Sequence, residues 1–177
     1  MNGIIITGAP RAGKSTCVEK LLREEKGYSV INGDAITVSL FYQYNGKKEF
    51  NLGRKKTYDI FEKTIMEYPK LNIILDYHYI EPEKLLEYYK KGYRIIFFGY
   101  PNVQESSLKK RIRQKEELND WTNQMDDDEL NKMVKKGITI SKRDYLFCKE
   151  TGISFVDTSY GLEKAYLCFV KELKKSV

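Results

Sequence analysis

Short apolar runs alternate with longer amphipathic stretches along this chain, which predicts strands and helices in turn. Five of the runs have the length of a strand: Gly3–Thr7, Tyr28–Asn32, Asn72–Asp76, Arg94–Phe98 and Ile153–Asp157. Continuous apolar runs are typical of parallel strands that are covered on both faces. The pattern therefore predicts an α/β fold in which helices cover both faces of a five-stranded parallel sheet.

Apolar residues at helical spacing fill the stretches between these runs. After the first run, Val18, Leu21 and Leu22 share one helical face, and Gly27 can end that helix. Further helices are predicted at Ala35–Tyr42, Gly53–Tyr68, Pro82–Lys91, Gln104–Glu117, from Asp126–Asp128 to a break at Gly137, at Ser141–Glu150 and at Gly161–Lys175. No linker or internal repeat divides the chain, so the sequence predicts a single domain over residues 1–177.

A phosphate-binding sequence lies between the first predicted strand and the first predicted helix. Residues Gly8–Ser15 read GAPRAGKS and match G-x-x-x-x-G-K-[ST] at every fixed position. The two glycines allow a tight turn, and free N–H groups at the start of the helix favour phosphate. We expect Lys14 to reach the β- and γ-phosphates and Ser15 to bind Mg²⁺. The predicted nucleotide-binding residues here are Gly8, Ala9, Pro10, Arg11, Ala12, Gly13, Lys14, Ser15 and Thr16.

Three polar residues follow predicted strands, at the sheet edge where this class of fold binds its ligands. Asp34 can orient an acceptor hydroxyl and take its proton, or it can cap the helix that follows. Asp76 ends the third strand and is placed to help hold Mg²⁺, with a simple turn residue as the alternative. His78, the only histidine, is either a contact to substrate or a structural hydrogen-bonding group.

A basic helix is predicted after the fourth strand. Arg111 and Arg113 can neutralise the charge on a transferring phosphoryl group, but residues two apart do not share a helix face. Arg111 is favoured because it lies at the edge of the buried face that Leu108 and Ile112 mark. The alternative is a solvated helix face, and Arg143 is a weaker candidate for the same role.

Two further segments are assigned to the predicted site. Residues 42–68 begin with a basic stretch that suits an acceptor carrying phosphate, unless this stretch is only a solvated loop. Residues 109–137 contain a polar interruption around Trp121, which suits a lid that excludes water from the phosphates. A surface loop is the alternative for that interruption. The sequence therefore predicts an acceptor-binding insertion at 42–68 and a lid at 109–137.

Composition narrows the class of protein. The formal net charge of +6 suits phosphorylated ligands and suits nucleic acid less well, because lysine outnumbers the arginine that reads bases. No apolar stretch has the length of a membrane span, and the N-terminus leads directly into a strand without room for a signal peptide. Three cysteines without metal-ligand spacing indicate reduced thiols, so we expect a cytoplasmic protein with no membrane partner.

These motifs resemble those of P-loop kinases of the nucleotide-kinase-like group, which includes adenylate, shikimate and gluconate kinases and small bacterial AAA-family ATPases. The resemblance rests on Gly8–Thr16, Gly33-Asp34, Ile73–Asp76, Leu108–Arg113 and Ile153–Thr158. It implies a three-layer P-loop NTPase sandwich with strand order 2-3-1-4-5, a helical lid, and ATP and Mg²⁺ as cofactors. It also implies that Asp157, Thr158 and Ser159 lie near the adenine.

The sequence therefore predicts an ATP-dependent kinase that moves the γ-phosphate to a small hydroxyl- or phosphate-bearing acceptor. Tyr77 follows Asp76 in place of the glutamate of motor ATPases, which favours transfer over hydrolysis. The predicted catalytic residues are Lys14, Asp34, Arg111 and Arg113, and the predicted metal-binding residues are Ser15 and Asp76. A polynucleotide 5′-kinase-like enzyme and a nucleotide-gated regulatory protein remain as alternatives. The acceptor, the choice between ATP and GTP, and the oligomeric state are left open.

Overall fold

The structure is a computed structural model that describes residues 3–44, 47–78, 80–113 and 125–175. Strands and helices alternate along the described chain, except at two places where two helices follow each other. Their bounds are β1 Gly3–Gly8, α1 Lys14–Glu24, β2 Tyr28–Asn32, α2 Gly33–Tyr44, α3 Lys47–Glu67, β3 Asn72–Asp76, α4 Pro82–Lys90, β4 Arg94–Gly99, α5 Glu105–Arg113, α6 Asp127–Thr151, β5 Ser154–Asp157 and α7 Leu162–Lys174. The five strands predicted from the sequence are confirmed to within a residue at each end.

The strands form one parallel sheet in the order β2-β3-β1-β4-β5. This confirms the α/β class and the strand order that the family resemblance implied. In the β1–β3 register, Ile6 is opposite Asp76, so the end of β3 lies directly beside the turn that leaves β1. Because every strand runs the same way, the carboxyl ends of β1 to β5 meet at one edge of the sheet.

Two apolar layers hold helices against the two faces of the sheet. Alternate residues of β1 point to opposite faces, so Ile4 and Ile6 pack in one layer and Ile5 in the other. The first layer contains α1, α5, α7 and the start of α6, and the second contains α3 and α4. Helix α6 contributes to both layers, with Val134 in the first and Cys148 in the second.

Two helix predictions were wrong in their bounds. Gly137 does not break the chain, because α6 is continuous over Asp127–Thr151. The glycine is there for packing: a Cβ at Gly137 would collide with the hydroxyl of Tyr100. Helix α3 begins at Lys47 rather than at Gly53, so residues 47–52 are helical and not part of a loop. The predicted helix Gln104–Glu117 is confirmed as far as Arg113, and its remainder lies outside the described residues.

Among the described residues, no helix is both long enough and apolar enough to cross a membrane.

Candidate active site

The turn between β1 and α1, residues Gly8–Ser15, is named the phosphate loop here. Gly8 and Gly13 have φ values of 115° and 78°, which glycine adopts without strain. Gly8 also has no room for a side chain, because a Cβ would collide with the carbonyl group of Phe98. No side chain caps the start of α1 at Gly13, so the first N–H groups of α1 remain available to an anion.

Lys14 is buried against the phosphate loop. Its Nζ donates hydrogen bonds to the carbonyl oxygens of Ala9 at 3.0 Å and Gly8 at 3.3 Å. Burial lowers the pKa of Lys14, while the nearby carboxylates of Asp76, Asp34 and Asp144 act to raise it. The loop therefore holds a buried cation that faces three acidic residues from three different elements.

Ser15 and Asp76 form a pair of oxygen groups that suits a magnesium ion. The Ser15 hydroxyl donates to Oδ2 of Asp76 at 2.9 Å. The other oxygen, Oδ1, is buried and has no hydrogen-bond partner among the described residues. Burial raises the pKa of Asp76, and the ammonium group of Lys14 and the Ser15 hydroxyl oppose that rise. Mg²⁺ takes a few protein oxygens beside phosphate and water, so this buried pair fits the ion in its donor chemistry.

A cavity of about 500 Å³, named the Arg111 cavity, opens on the α1 side of the phosphate loop. Its lining includes Pro10–Thr16, Asp34, His78, Leu108, Arg111, Ile112, Thr158 and Leu162. Arg111 donates to the carbonyl oxygens of Thr158 at 2.8 Å and Ser159 at 2.5 Å, which holds its guanidinium at this cavity. Arg113 donates instead to Asp127 and to the carbonyl group of Met125, at the start of α6.

Residues Asp157–Ser159, which the resemblance placed near adenine, form the turn after β5. The Asp157 carboxylate accepts from the N–H of Ser159 at 2.8 Å and from the amide of Asn102 at 3.1 Å. The Thr158 hydroxyl donates to the carbonyl group of Gly99 at 3.1 Å. Of these three residues, only Thr158 is among the described residues that line the Arg111 cavity.

Asp34 and His78 meet at the ends of β2 and β3. The Asp34 oxygen Oδ1 accepts from the N–H of His78 at 3.0 Å, and Oδ2 lies 3.1 Å from Nδ1 of the ring. A carboxylate oxygen accepts hydrogen bonds, so Nδ1 is the ring nitrogen that donates to Asp34 in this contact. Asp34 does not cap α2. Asn32 caps that helix instead, because its Oδ1 accepts from the N–H of Ala35 at 2.9 Å.

A second cavity, of about 570 Å³ and named the Arg143 cavity, lies on the other side of the phosphate loop. It is lined by Thr7, Gly8 and Pro10, by His78, Ile80, Pro82, Leu85 and Phe97, and by the α6 residues Met133, Lys136, Gly137, Ile140, Arg143, Asp144 and Phe147. Pro10 and His78 line both cavities. The two spaces therefore meet at the loop, beside the Asp34–His78 pair.

Asp144 was missed by the sequence analysis, and Arg143 was only a weak candidate. Asp144 is 6% exposed, and its Oδ1 accepts from both Nε and a terminal nitrogen of Arg143, at 3.1 and 2.9 Å. Burial raises the pKa of Asp144, against the effect of Arg143 and Lys14. No local motif marks Asp144, because only the packing of α6 across the sheet end brings it to the loop.

The two predicted site segments remain predictions. In 42–68, Thr57 and Phe61 are fully buried beneath α2 and against β3, and Arg54 pairs with Glu81 at 3.0 Å. None of the residues described in this range is in the lining of either cavity. Of the proposed lid 109–137, residues 114–124 lie outside the described residues, Trp121 included.

No protein-family model matches the chain, and no curated protein matches it. Solved structures do match. A shikimate kinase from Bacteroides thetaiotaomicron has a TM-score of 0.64 at 18% identity, over 98% of each chain. A gluconokinase from Sinorhizobium meliloti 1021 has a TM-score of 0.57 at 16% identity, over 96% of this chain and 92% of the other.

A chain of the Pnkp1/Rnl/Hen1 RNA repair complex matches 84% of this chain at a TM-score of 0.54 and 18% identity, and only 45% of that chain is covered. At these identities the likeness concerns the fold. The fold is that of the P-loop nucleotide-kinase-like proteins, as the sequence motifs indicated.

Proposed function

We propose that this protein is an ATP-dependent phosphotransferase that moves the γ-phosphate to a hydroxyl group of a small acceptor. The observation that carries the proposal is the pair of cavities that meet at the phosphate loop. The Arg111 cavity holds the nucleotide, with its phosphates on the loop, and the Arg143 cavity holds the acceptor. A nucleotide hydrolase has no need for a second cavity on the far side of the transferred phosphate.

The chain's own residues divide the work of binding. The phosphate loop binds the phosphates through its N–H groups, and Lys14 leaves its contacts with Gly8 and Ala9 to reach the β- and γ-phosphates. Ser15 and Asp76 would hold Mg²⁺, which supplies positive charge to the β- and γ-phosphate oxygens. Arg111 lines the same cavity and stabilises the negative charge of the transition state.

The proton of the acceptor is taken by His78. As the acceptor oxygen bonds to the γ-phosphorus, the bond from that phosphorus to the bridging oxygen breaks, and its electron pair leaves with ADP. The hydroxyl proton passes to Nε2 of His78, whose lone pair is directed away from the protonated Nδ1. Asp34 is then a positioning residue, because both of its oxygens hold His78. This revises the role that the sequence gave to Asp34.

Replacement of Lys14 tests the proposal. Lys14→Ala should lower phosphotransfer by about 10²–10³-fold, the effect of removing one group that stabilises transition-state charge. The variant should also bind Mg·ATP more weakly in calorimetry, and circular dichroism should show an unchanged fold. Lys20→Ala is the matched control on α1, since Lys20 pairs with Glu163 outside both cavities. Unchanged binding and turnover in Lys14→Ala would refute the assignment.

The same assay separates the two alternatives. A polynucleotide 5′-kinase would phosphorylate oligonucleotides with an acceptor affinity that falls steeply as salt is raised. A nucleotide-gated regulatory protein would bind ATP tightly and transfer phosphate to no alcohol in a broad screen. Transfer to a small alcohol with little dependence on salt supports the proposal over both.

A further inference from the structure

The lining of the Arg143 cavity indicates the chemical class of the acceptor. We infer that the cavity takes a small alcohol with an apolar, ring-sized body, in preference to a polyhydroxylated sugar or sugar acid. This inference rests on the proposed phosphotransferase function and deepens it. The volume of about 570 Å³ is in the range of sites that enclose a small organic molecule.

The walls of the cavity are largely apolar. Leu85 of α4 and Phe97 of β4 belong to its lining and are 4% and 8% exposed. Met133, Ile140 and Phe147 of α6 line the same cavity, and the Phe147 ring packs edge-on against Phe97 with ring centroids 5.9 Å apart. A hydroxyl group pressed against these side chains loses its hydrogen bonds to water without replacement, which costs free energy and opposes binding. A polyol would meet that cost several times, whereas an apolar ring would gain from the same contacts.

The hydrogen-bonding side chains in the lining of the cavity include His78 and Asp144. His78 is the group that meets the reacting hydroxyl. Asp144 uses Oδ1 for both of its bonds to Arg143, so Oδ2 is left for one further donor from the acceptor. The arrangement therefore fits a molecule with its reacting hydroxyl beside His78 and an apolar body against the side chains of α4, β4 and α6.

The charges around the cavity refine this class. Lys136 is exposed, and the Arg143 side chain is 74% exposed although it is paired with Asp144. Two cations that border the cavity and reach solvent favour a neutral or anionic acceptor over a cationic one. An aromatic alcohol that also carries a carboxylate satisfies the apolar walls, the contact with His78 and these charges together.

Four matched compounds test the inference. Benzyl alcohol and 4-(hydroxymethyl)benzoate have the apolar ring. Sorbitol and gluconate have no ring, and they carry a hydroxyl group on every carbon except the carboxylate carbon of gluconate. Binding is measured by saturation-transfer NMR on the full chain, and transfer by ADP release with Mg·ATP. We expect both aromatic alcohols to bind, with the benzoate binding more tightly, and both polyols to give no signal. Equal or tighter binding of sorbitol or gluconate, or no binding of either aromatic compound, overturns the inference.

A variant pair locates the binding. Ile140→Gln places an amide in the apolar wall. It should weaken binding of 4-(hydroxymethyl)benzoate by about tenfold, which corresponds to 1.4 kcal/mol. Leu146→Gln is the matched control, because Leu146 is 55% exposed on the same helix and is outside the described lining. The affinity for ATP should be the same in both variants. Equal affinities for the benzoate in the two variants overturn the inference.

The outcomes also separate the inference from the proposed function. Binding of the aromatic alcohols that Ile140→Gln weakens, without transfer to any alcohol, supports the inference and refutes the phosphotransferase. Transfer to gluconate or sorbitol, with the aromatic alcohols inert, supports the phosphotransferase and refutes the inference.

Discussion

Tyr100 and Gly137 join α6 to the phosphate loop, and a double-mutant cycle can measure that connection. Tyr100 is 2% exposed, and its hydroxyl donates to the carbonyl group of Pro10 at 2.7 Å. Burial raises the pKa of Tyr100 to about 12, so the hydroxyl keeps its proton at neutral pH. The ring lies against Gly137, which has no side chain to displace it. Removal of the hydroxyl and addition of a methyl group therefore act on the same small space.

The two single changes should each destabilise the protein. Tyr100→Phe removes the bond to Pro10 and should lower the free energy of unfolding by about 1 kcal/mol. Gly137→Ala places a Cβ inside the contact distance of the Tyr100 hydroxyl, and overpacking of this kind costs about 1–3 kcal/mol. The helix preference of alanine over glycine returns up to about 1 kcal/mol of that cost.

The double variant should be more stable than the sum of these effects predicts. Without the hydroxyl, the nearest ring atom is Cζ at 3.3 Å from the added Cβ, so most of the clash is gone. The helix preference of alanine then acts almost alone, and Gly137→Ala should be close to neutral in the Tyr100→Phe background. The expected coupling is about 1–2 kcal/mol, within the range for residues in contact.

Urea denaturation followed by circular dichroism measures the cycle. Each kcal/mol also moves the midpoint of thermal unfolding by about 2–4 °C for a chain of this size. Tyr166→Phe is the control for loss of a tyrosine hydroxyl, because that group bonds to Glu24 on α1. Its effect should add to that of Gly137→Ala. Additive effects of Tyr100→Phe and Gly137→Ala would refute the account of the contact.

Three further predictions concern the site itself. His78→Gln should lower kcat by about 10²–10⁴-fold, the usual contribution of a general base, and leave the ATP affinity from calorimetry unchanged. Adding Asp34→Asn to that variant should lower kcat little further. A large additional loss would contradict the positioning role of Asp34. Asp76→Asn should raise the Mg²⁺ concentration for half-maximal activity by about 10–100-fold. In the absence of nucleotide and metal, the raised pKa of Asp76 means that the folded state holds its proton more tightly, so the free energy of unfolding should fall as pH rises from 3.8 through the raised pKa. Urea denaturation at a series of pH values should show that Asp76→Asn removes this part of the pH dependence.

The sheet was predictable because its signals are local. Each strand is an apolar run bounded by polar or turn residues, and the phosphate loop is a contiguous motif that needs a strand before it and a helix after it. The side chains at the strand ends could be named for the same reason, since parallel strands bring their carboxyl ends together.

The parts that sequence reasoning did not reach depend on packing between distant residues. Gly137 indicated a break because nothing nearby in sequence shows that Tyr100 occupies the space of a side chain there. The contact of Asp34 with His78 joins residues 44 positions apart, through the pairing of β2 with β3. No local sequence motif marks the Arg143 cavity. Its lining residues come mainly from β1, α4, β4 and α6, which are spread along the sequence and come together only in the fold.

Pro10 and His78 form a wall that the two cavities share, and this has a consequence for how the ligands would affect each other. An occupant that shifts either residue changes the surface offered to the other occupant. Such heterotropic linkage is symmetric at equilibrium: if a filled acceptor site tightens ATP binding by some factor, ATP must tighten acceptor binding by the same factor. Synergy between substrates is therefore expected to originate in two side chains, without movement of the sheet.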